Sequence, residues 1–161
     1  MKVLKNLLYV TAVMMAAVAF TSCSDDDDDL PNVNFSFDYS GATVVDGSMY
    51  VVHGETLEIE GLSVTPVNPR HQASIGKAVY YWDYEWLFSS VVPPFGLNID
   101  TDRVPVGTHL LQIKCTVLET GCSMATATVS YKVNVVASTD DIPLPQNPGQ
   151  EGPQPRIDIS R

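Results

Sequence analysis

The stretch "TVLETGCSMATATVSYKVNVV", residues 116–136, decides the fold of this chain. From residue 125 onward its odd positions are apolar or aromatic, whereas the even positions between them are threonine, serine, lysine and asparagine. Alternation with a period of two is typical of a strand that has one face in the core. Residues 109–117 alternate in the same way, and the glycine-containing segment that follows them predicts a turn. The two segments are therefore expected to form a hairpin.

Further strand candidates fill the chain upstream of this hairpin. They are "VNFSFDY", "SMYVV", "TLEIEGLSV" and "KAVYYWDYEWLF", and segments with glycine, proline and asparagine separate them. No window has the apolar stripe of an amphipathic helix. The sequence thus predicts one all-β domain over residues 31–137, an immunoglobulin-like antiparallel β-sandwich of about seven strands. Residues 138–161 are rich in proline and poor in bulky apolar side chains, which predicts a disordered tail.

The N-terminal residues have the pattern of a secretion signal. Lys2 and Lys5 precede an uncharged apolar run over residues 7–20. This run is shorter than the roughly 20 residues that a membrane-spanning helix needs. Residues 1–22 are therefore predicted to be a signal peptide.

Small residues precede Cys23, and acidic residues follow it. Thr21, Ser22 and Cys23 resemble the lipobox of bacterial lipoproteins, although Phe20 stands where leucine is commonest. The acidic run behind the cysteine is similar to the export signal of Bacteroidetes surface lipoproteins, and its residues are Ser24, Asp25, Asp26, Asp27, Asp28 and Asp29. The resemblance implies that Cys23 is acylated, that residues 23–30 form an export and linker segment, and that the protein lies on the outer membrane, exposed at the cell surface. The alternatives are an ordinary thiol at position 23 and a merely solvated acidic spacer.

The charge of the chain excludes nucleic acid as a class of partner. The formal net charge is −10 at pH 7. Residues 1–22 hold two of the nine basic residues and none of the nineteen acidic ones, so the charge without them is −12. Binding to nucleic acid requires basic groups that neutralise phosphates.

Three segments resemble polycystic-kidney-disease (PKD) repeats, which are immunoglobulin-like modules. "YYWDY" at 80–84 resembles their Tyr-x-Trp-Asp-Phe segment, "VPVGTHLLQIKCTV" at 104–117 resembles their Pro-x-Gly-Thr-Tyr segment, and "VVHGETLEIEG" at 51–61 is similar to their opening strands. Glu85 and Trp86 stand where these repeats usually have Gly-Asp-Gly. The resemblance implies a module that interacts with protein or carbohydrate.

Aromatic side chains alternate along residues 77–88 and are expected to face inward. The series consists of Ala78, Tyr80, Trp82, Tyr84, Trp86 and Phe88. Trp82 is interpreted as the core tryptophan of the sandwich, with Tyr80 and Tyr84 beside it. Tyr81, Trp86 and Phe95 are the candidates for exposed ligand contacts, because aromatic rings pack against the apolar faces of sugars.

Cys115 and Cys122 form an even pair once Cys23 is acylated. An exported protein lies where disulfides persist, so a bridge between them is one possibility. The other is two isolated thiols, one of them buried, because the hairpin alternation puts the two side chains on opposite faces.

The sequence predicts no metal site, no cofactor and no catalytic residue. Asn98, Asp100 and Asp102 are spaced like the first ligands of a calcium loop, but the next residue is Arg103, not glycine. The three histidines are far apart in the sequence and form no ligand motif.

The sequence favours a lipid-anchored binding module for glycan or a partner surface protein. A structural spacer or assembly subunit, whose tail reaches toward a partner, is the alternative. A hydrolase of surface polymers is the third hypothesis. The sequence lacks the pair of acidic residues, or the nucleophile and base, that such an enzyme needs.

Overall fold

A computed structural model describes residues 29–146 and 152–161 of the chain. The signal peptide, the lipidated cysteine and most of the acidic run predicted above lie outside these residues. The described residues form ten strands and one short 3₁₀ helix, at Thr139–Asp141. The strands are β1 (Val33–Ser40), β2 (Thr43–Val45), β3 (Ser48–Val52), β4 (Thr56–Pro66), β5 (Ala73–Trp82), β6 (Glu85–Ser90), β7 (Leu97–Asp100), β8 (Gly107–Glu119), β9 (Ala125–Val136) and β10 (Arg156–Ser160).

The strands form two sheets. The small sheet has the order β1–β4–β7, and the large sheet has the order β2–β3–β9–β8–β5–β6, with β10 also paired to β9. All pairs are antiparallel except β3 and β9, which run parallel. The predicted all-β architecture of two sheets is confirmed, with more strands than the sequence indicated and one parallel pair.

The chain changes sheets at Gly41, between β1 and β2. Gly41 has φ +76°, a conformation that glycine adopts readily and other residues rarely do. A Cβ atom at this position would lie 2.0 Å from the carbonyl oxygen of Thr56. Only glycine therefore fits where the chain leaves the small sheet for the large one.

The β8–β9 hairpin predicted from residues 109–136 is the centre of the large sheet. Leu111 to Val117 on β8 and Ala125 to Val135 on β9 alternate between buried and more exposed side chains, as their sequence does. The buried set faces β4 and β1 of the small sheet and includes Leu111, Ile113, Cys115, Val117, Val129, Tyr131 and Val133. Burial of each Leu, Ile or Val side chain contributes about 1.5–3 kcal/mol, so this face supplies much of the stability of the sandwich.

The C-terminal tail is not wholly disordered, which corrects the prediction for residues 138–161. Arg156–Ser160 forms β10, which pairs antiparallel with Thr126–Ser130 of β9. Ile159 packs against the core, while the other four β10 side chains are exposed. The alternation of Ile157 and Ile159 with polar residues gives this segment a strand pattern that the surrounding prolines conceal.

Among the described residues, no helix is long and apolar enough to cross a membrane.

Candidate functional site

The β5–β6 hairpin carries most of the aromatic residues singled out from the sequence. β5 ends at Trp82 and β6 begins at Glu85, so only Asp83 and Tyr84 form the turn. Both turn residues have positive φ, +49° for Asp83 and +71° for Tyr84. Two consecutive residues with positive φ are characteristic of the type I′ turn, whose twist matches that of the two strands.

Asp83 fastens this turn to the start of β8. Its Oδ1 accepts a hydrogen bond of 2.8 Å from the N–H of Leu110, and its own N–H donates one of 2.9 Å to the carbonyl of Leu110. Its Oδ2 lies 2.6 Å from Nδ1 of His109. Three polar contacts therefore fix the end of the hairpin against the neighbouring strand.

His109 is clamped between two oxygen atoms and an indole ring. Its Nε2 lies 2.8 Å from the carbonyl oxygen of Pro105, and its ring stacks on Trp82 with centroids 5.3 Å apart. Burial lowers the pKa of His109, but the hydrogen bonds to Asp83 and Pro105 and the charge of Asp83 outweigh it, so the pKa lies above its ordinary value. The charged form is favoured because only an imidazolium can donate to both oxygens.

The turn leaves Tyr84 in solvent and puts Trp86 on the face of the sheet opposite to that of Trp82. Tyr80 and Trp82 are buried, as predicted, but Tyr84 is 75% exposed and Trp86 is 62% exposed. In a hairpin, residues directly opposite each other share a face, so Glu85 takes the side of Trp82 and Trp86 takes the side of Tyr81. The expectation that Tyr84 lies beside Trp82 in the core is therefore wrong, whereas Trp86 is exposed, as its candidacy for a ligand contact requires.

Trp86 and Tyr81 begin a row of side chains that crosses the outer face of the large sheet. Trp86 is opposite Tyr81, Tyr81 is opposite Gln112, and Gln112 is opposite Ser130. We call these four residues the aromatic row. It spans four neighbouring strands, roughly 14 Å at about 4.8 Å per strand. Arg156 of β10 extends the same line by one strand.

Polar groups accompany the two rings. Nε2 of Gln112 donates a hydrogen bond of 3.4 Å to Oγ of Ser130. Nζ of Lys114 lies 5.1 Å from the centroid of the Tyr81 ring, within the range of a cation–π contact. The row thus combines flat apolar rings with amide, hydroxyl and ammonium groups on an open surface.

Phe95, the third predicted ligand contact, is not exposed. It is only 4% exposed, and it packs in the core between the sheets. The buried hydroxyl of Tyr80 donates a hydrogen bond to the carbonyl of Phe95. The prediction that Phe95 contacts a ligand is wrong, because the loop after β6 turns its ring inward.

Both described cysteines are free thiols. Cys115 is fully buried on the inward face of β8, whereas Cys122 lies in the β8–β9 turn and is partly exposed. The N–H of Cys122 donates a hydrogen bond of 3.1 Å to the carbonyl of Glu119, so Cys122 lies beside Glu119. Glu119 is four residues beyond Cys115 in one extended strand, roughly 13 Å away at about 3.3 Å per residue. The Cα atoms of a disulfide lie within about 7 Å, so the possible bridge is absent, and burial raises the pKa of the Cys115 thiol to about 12.

A second polar cluster lies at the opposite end of β8. The ligand atoms of His71, Glu119 and Cys122 all lie within 4.8 Å of one another. Nδ1 of His71 is 2.8 Å from Oε1 of Glu119, and the N–H of Asn32 donates a hydrogen bond of 2.7 Å to Oε2. The sequence did not indicate this cluster, since His71 lies 48 positions before Glu119 and no local spacing motif joins them.

Asp29 is the one residue of the predicted acidic export signal that the described part of the chain includes. It is exposed, and its carbonyl accepts a hydrogen bond of 3.0 Å from the N–H of Ser123 in the β8–β9 turn. The acidic run therefore joins the sandwich at the end that holds Glu119 and Cys122. Cys23, Ser24 and Asp25 to Asp28 lie outside the described part of the chain.

Comparison with known proteins gives a likeness of fold. No family model matches the sequence, and no curated protein matches it. Among solved structures, the chain is similar to the fibronectin(III)-like modules of Clostridium thermocellum CbhA, with 14% sequence identity and a TM-score of 0.43. The match covers 71% of this chain and 53% of that chain, so the present chain spans about half of the other's length.

Proposed function

We propose that this chain is a lipid-anchored cell-surface binding module without catalytic activity, and that it binds a polysaccharide along the aromatic row. The observation that carries the proposal is the alignment of Trp86, Tyr81, Gln112 and Ser130 across four strands. An exposed tryptophan is costly to leave in water and is enriched at binding surfaces.

The chemistry of the row suits a sugar polymer. The apolar face of a sugar ring packs on an aromatic ring, while its hydroxyl groups need donors and acceptors at the side. Gln112 offers both, Ser130 offers a hydroxyl, and Lys114 adds donors beside the Tyr81 ring. A row of roughly 14 Å on an open face allows several contacts with an extended chain, and it leaves the ends of the polymer free.

The position of Asp29 on the sandwich supports a surface role. Asp29 meets the sandwich at the β8–β9 turn, next to Glu119. Gln112 lies seven residues back along β8, roughly 24 Å away at about 3.4 Å per residue. The row therefore lies on the half of the sandwich that is farther from the point where Asp29 joins it. The resemblance to PKD repeats also favours an interaction module of this kind.

Binding to immobilised polysaccharides tests the ligand. A glycan array with the purified chain identifies the polymer, and titration calorimetry then measures Kd. We expect Trp86→Ala to weaken binding at least tenfold, which corresponds to about 1.4 kcal/mol. Tyr84→Asn is the matched control, because it removes an exposed aromatic ring from the same hairpin, outside the row, and asparagine tolerates the positive φ. Failure of the array to detect any polysaccharide, or equal Kd values for wild type and Trp86→Ala, contradicts the proposal.

A second candidate function is an assembly subunit joined through β6. This strand ends the large sheet, with β5 as its neighbour, and it exposes Trp86, Leu87 and Phe88. An exposed apolar edge strand is a template for pairing with another chain. Sedimentation velocity distinguishes this function: if it is correct, the wild type self-associates and Leu87→Lys does not. A monomeric wild type that still binds polysaccharide excludes it.

The anchor has its own test. Mass spectrometry of the protein from its native membrane is expected to find acyl chains on Cys23 at the mature N-terminus. Cys23→Ala is expected to release the chain from the membrane fraction, because alanine has no thiol that could carry the acyl chains. A bare thiol at Cys23 contradicts the proposed location and leaves the polysaccharide test unaffected.

A further inference from the structure

The end of the sandwich opposite the β5–β6 turn brings together three different donor groups. His71 lies in the loop between β4 and β5, Glu119 is the last residue of β8, and Cys122 lies in the turn that follows. Their ligand atoms are an imidazole nitrogen, a carboxylate oxygen and a sulfur, all within 4.8 Å of one another. These groups are the ones that bind Zn²⁺ in proteins.

The separations are close to those of a tetrahedral ion. Bonds of about 2.0–2.3 Å place neighbouring ligand atoms about 3.5 Å apart. Nδ1 of His71 and Oε1 of Glu119, now 2.8 Å apart in a hydrogen bond, would separate slightly, and Cys122 would approach. Both His71 and Cys122 lie outside regular strands and are partly exposed, so the adjustment involves side chains on a loop and a turn.

The carboxylate of Glu119 is buried and held in a fixed orientation. Its side chain is only 2% exposed, although a buried carboxylate is costly unless it is paired. The N–H of Asn32 holds Oε2, which leaves Oε1 directed at His71. Ligands of metal ions are commonly oriented by such outer hydrogen bonds.

The electrostatics of the cluster favour a cation. Two carboxylate side chains border the sulfur of Cys122: Glu119 lies within the cluster, and Asp29 lines the same cleft. A divalent ion would offset both carboxylates and stabilise the thiolate.

The cluster is accessible from solvent. It lines a surface cleft of about 420 Å³ whose wall includes Asp29, Asn32 and Asn68. Three protein ligands leave a fourth position of a tetrahedral ion for water or for a side chain at the rim. Asp29 is an acidic side chain at this rim, because it lines the same cleft as the three ligands.

We propose that His71, Glu119 and Cys122 bind one divalent transition-metal ion, with Zn²⁺ preferred by the donor set. The ion would join the β4–β5 loop to the β8–β9 turn, beside the point where the leader meets the sandwich. This site is separate from the aromatic row, so it stands or falls independently of polysaccharide binding.

Titration of the purified, reduced full chain with Co²⁺ and Zn²⁺ tests the proposal. We expect one equivalent of Co²⁺ to produce a thiolate-to-metal charge-transfer band, and Zn²⁺ to displace it. Cys122→Ser is expected to abolish the band, and His71→Gln to weaken Zn²⁺ binding at least tenfold in calorimetry.

Two matched controls separate the site from the rest of the chain. Cys115→Ala removes the other described thiol. His53→Gln removes a histidine outside the cluster, whose Nδ1 lies 3.0 Å from the carbonyl oxygen of Val104. Both are expected to bind Zn²⁺ within twofold of wild type. The proposal is overturned if no charge-transfer band forms, if Cys122→Ser retains it, or if Zn²⁺ binds equally to wild type and His71→Gln. Thermal unfolding without metal verifies that each variant is folded.

Discussion

The contact between His109 and Asp83 makes the stability of the sandwich depend on pH. The pKa of His109 lies above its ordinary value of 6.5 in the folded chain. Its stabilising contribution is therefore fully present below about pH 6.5, and it is lost as the pH rises through the folded pKa. Oδ2 of Asp83 lies 2.6 Å from Nδ1 of His109, and the carbonyl oxygen of Pro105 lies 2.8 Å from its Nε2. Deprotonated His109 has one N–H, so it can donate a hydrogen bond to only one of these two oxygens.

The magnitude follows from the exposure of the two partners. A hydrogen bond to a charged group contributes about 1.5–3 kcal/mol. The side chain of His109 is 11% exposed, but that of Asp83 is 47% exposed, so solvent screens part of the attraction. We expect a loss of about 1 kcal/mol between pH 6 and pH 9, which lowers Tm by about 4 °C for a domain of this size.

Urea unfolding of wild type and His109→Gln at pH 6 and pH 9 measures this loss. The difference in free energy of unfolding between the two proteins is expected to shrink by about 1 kcal/mol at the higher pH. Groups that titrate in both proteins cancel in this difference. Asp83→Asn is expected to reduce the pH dependence as well, whereas His53→Gln keeps it. Identical pH dependence of wild type and His109→Gln would refute the reasoning. Since Asp83 lies in the two-residue turn before the strand that presents Trp86, polysaccharide binding is expected to weaken over the same pH range.

Two further substitutions examine how the hairpin and the sheet crossing are held. Tyr80→Phe removes the hydroxyl that donates a hydrogen bond to the buried carbonyl of Phe95. We expect the free energy of unfolding, measured by urea titration, to fall by about 1–3 kcal/mol. An unchanged unfolding midpoint contradicts this. Gly41→Ala places a Cβ 2.0 Å from the Thr56 carbonyl at φ +76°, with an expected loss of about 3 kcal/mol or more. Gly121→Ala is the control, because φ is +78° there and an added Cβ would have no neighbouring atom within 4 Å. We expect the free energy of unfolding to fall by only about 1 kcal/mol in this variant. Equal losses in the two variants show that the steric reasoning is wrong.

The parts of the fold with uninterrupted alternation were predictable from the sequence. In residues 111–117 of β8 and 125–135 of β9 every second residue is apolar or aromatic, and a glycine-containing turn separates the two strands. A one-residue shift would turn the whole apolar set to solvent, so the pattern fixes which face is buried. The sequence therefore predicted the hairpin and the burial of Cys115.

The β5–β6 hairpin was misread because its turn lacks the usual residues. Type I′ turns favour asparagine and glycine, but here Asp83 and Tyr84 adopt the positive φ values. Aromatic residues continue at even positions through the turn, so the segment resembles one long strand. The interactions of Asp83 with β8, which become visible only in the folded chain, supply the missing turn preference.

Sites assembled from distant segments could not be predicted from one sequence. Gln112 and Ser130 gain their place beside Tyr81 only through the register of β5, β8 and β9. His71 and Glu119 are 48 positions apart and meet because β5 brings the β4–β5 loop to the end of β8. No local spacing encodes either arrangement.

The position of β10 has a consequence for handling shortened forms of the protein. β3 pairs with residues 133–136 of β9, and β10 pairs with residues 126–130 of the same edge. A chain that stops before residue 152 would expose the unused amide and carbonyl groups of Thr126 to Ser130, a threonine-rich strand edge with strong β propensity. Such a chain is expected to associate with its own copies through this edge, which β10 covers in the full chain.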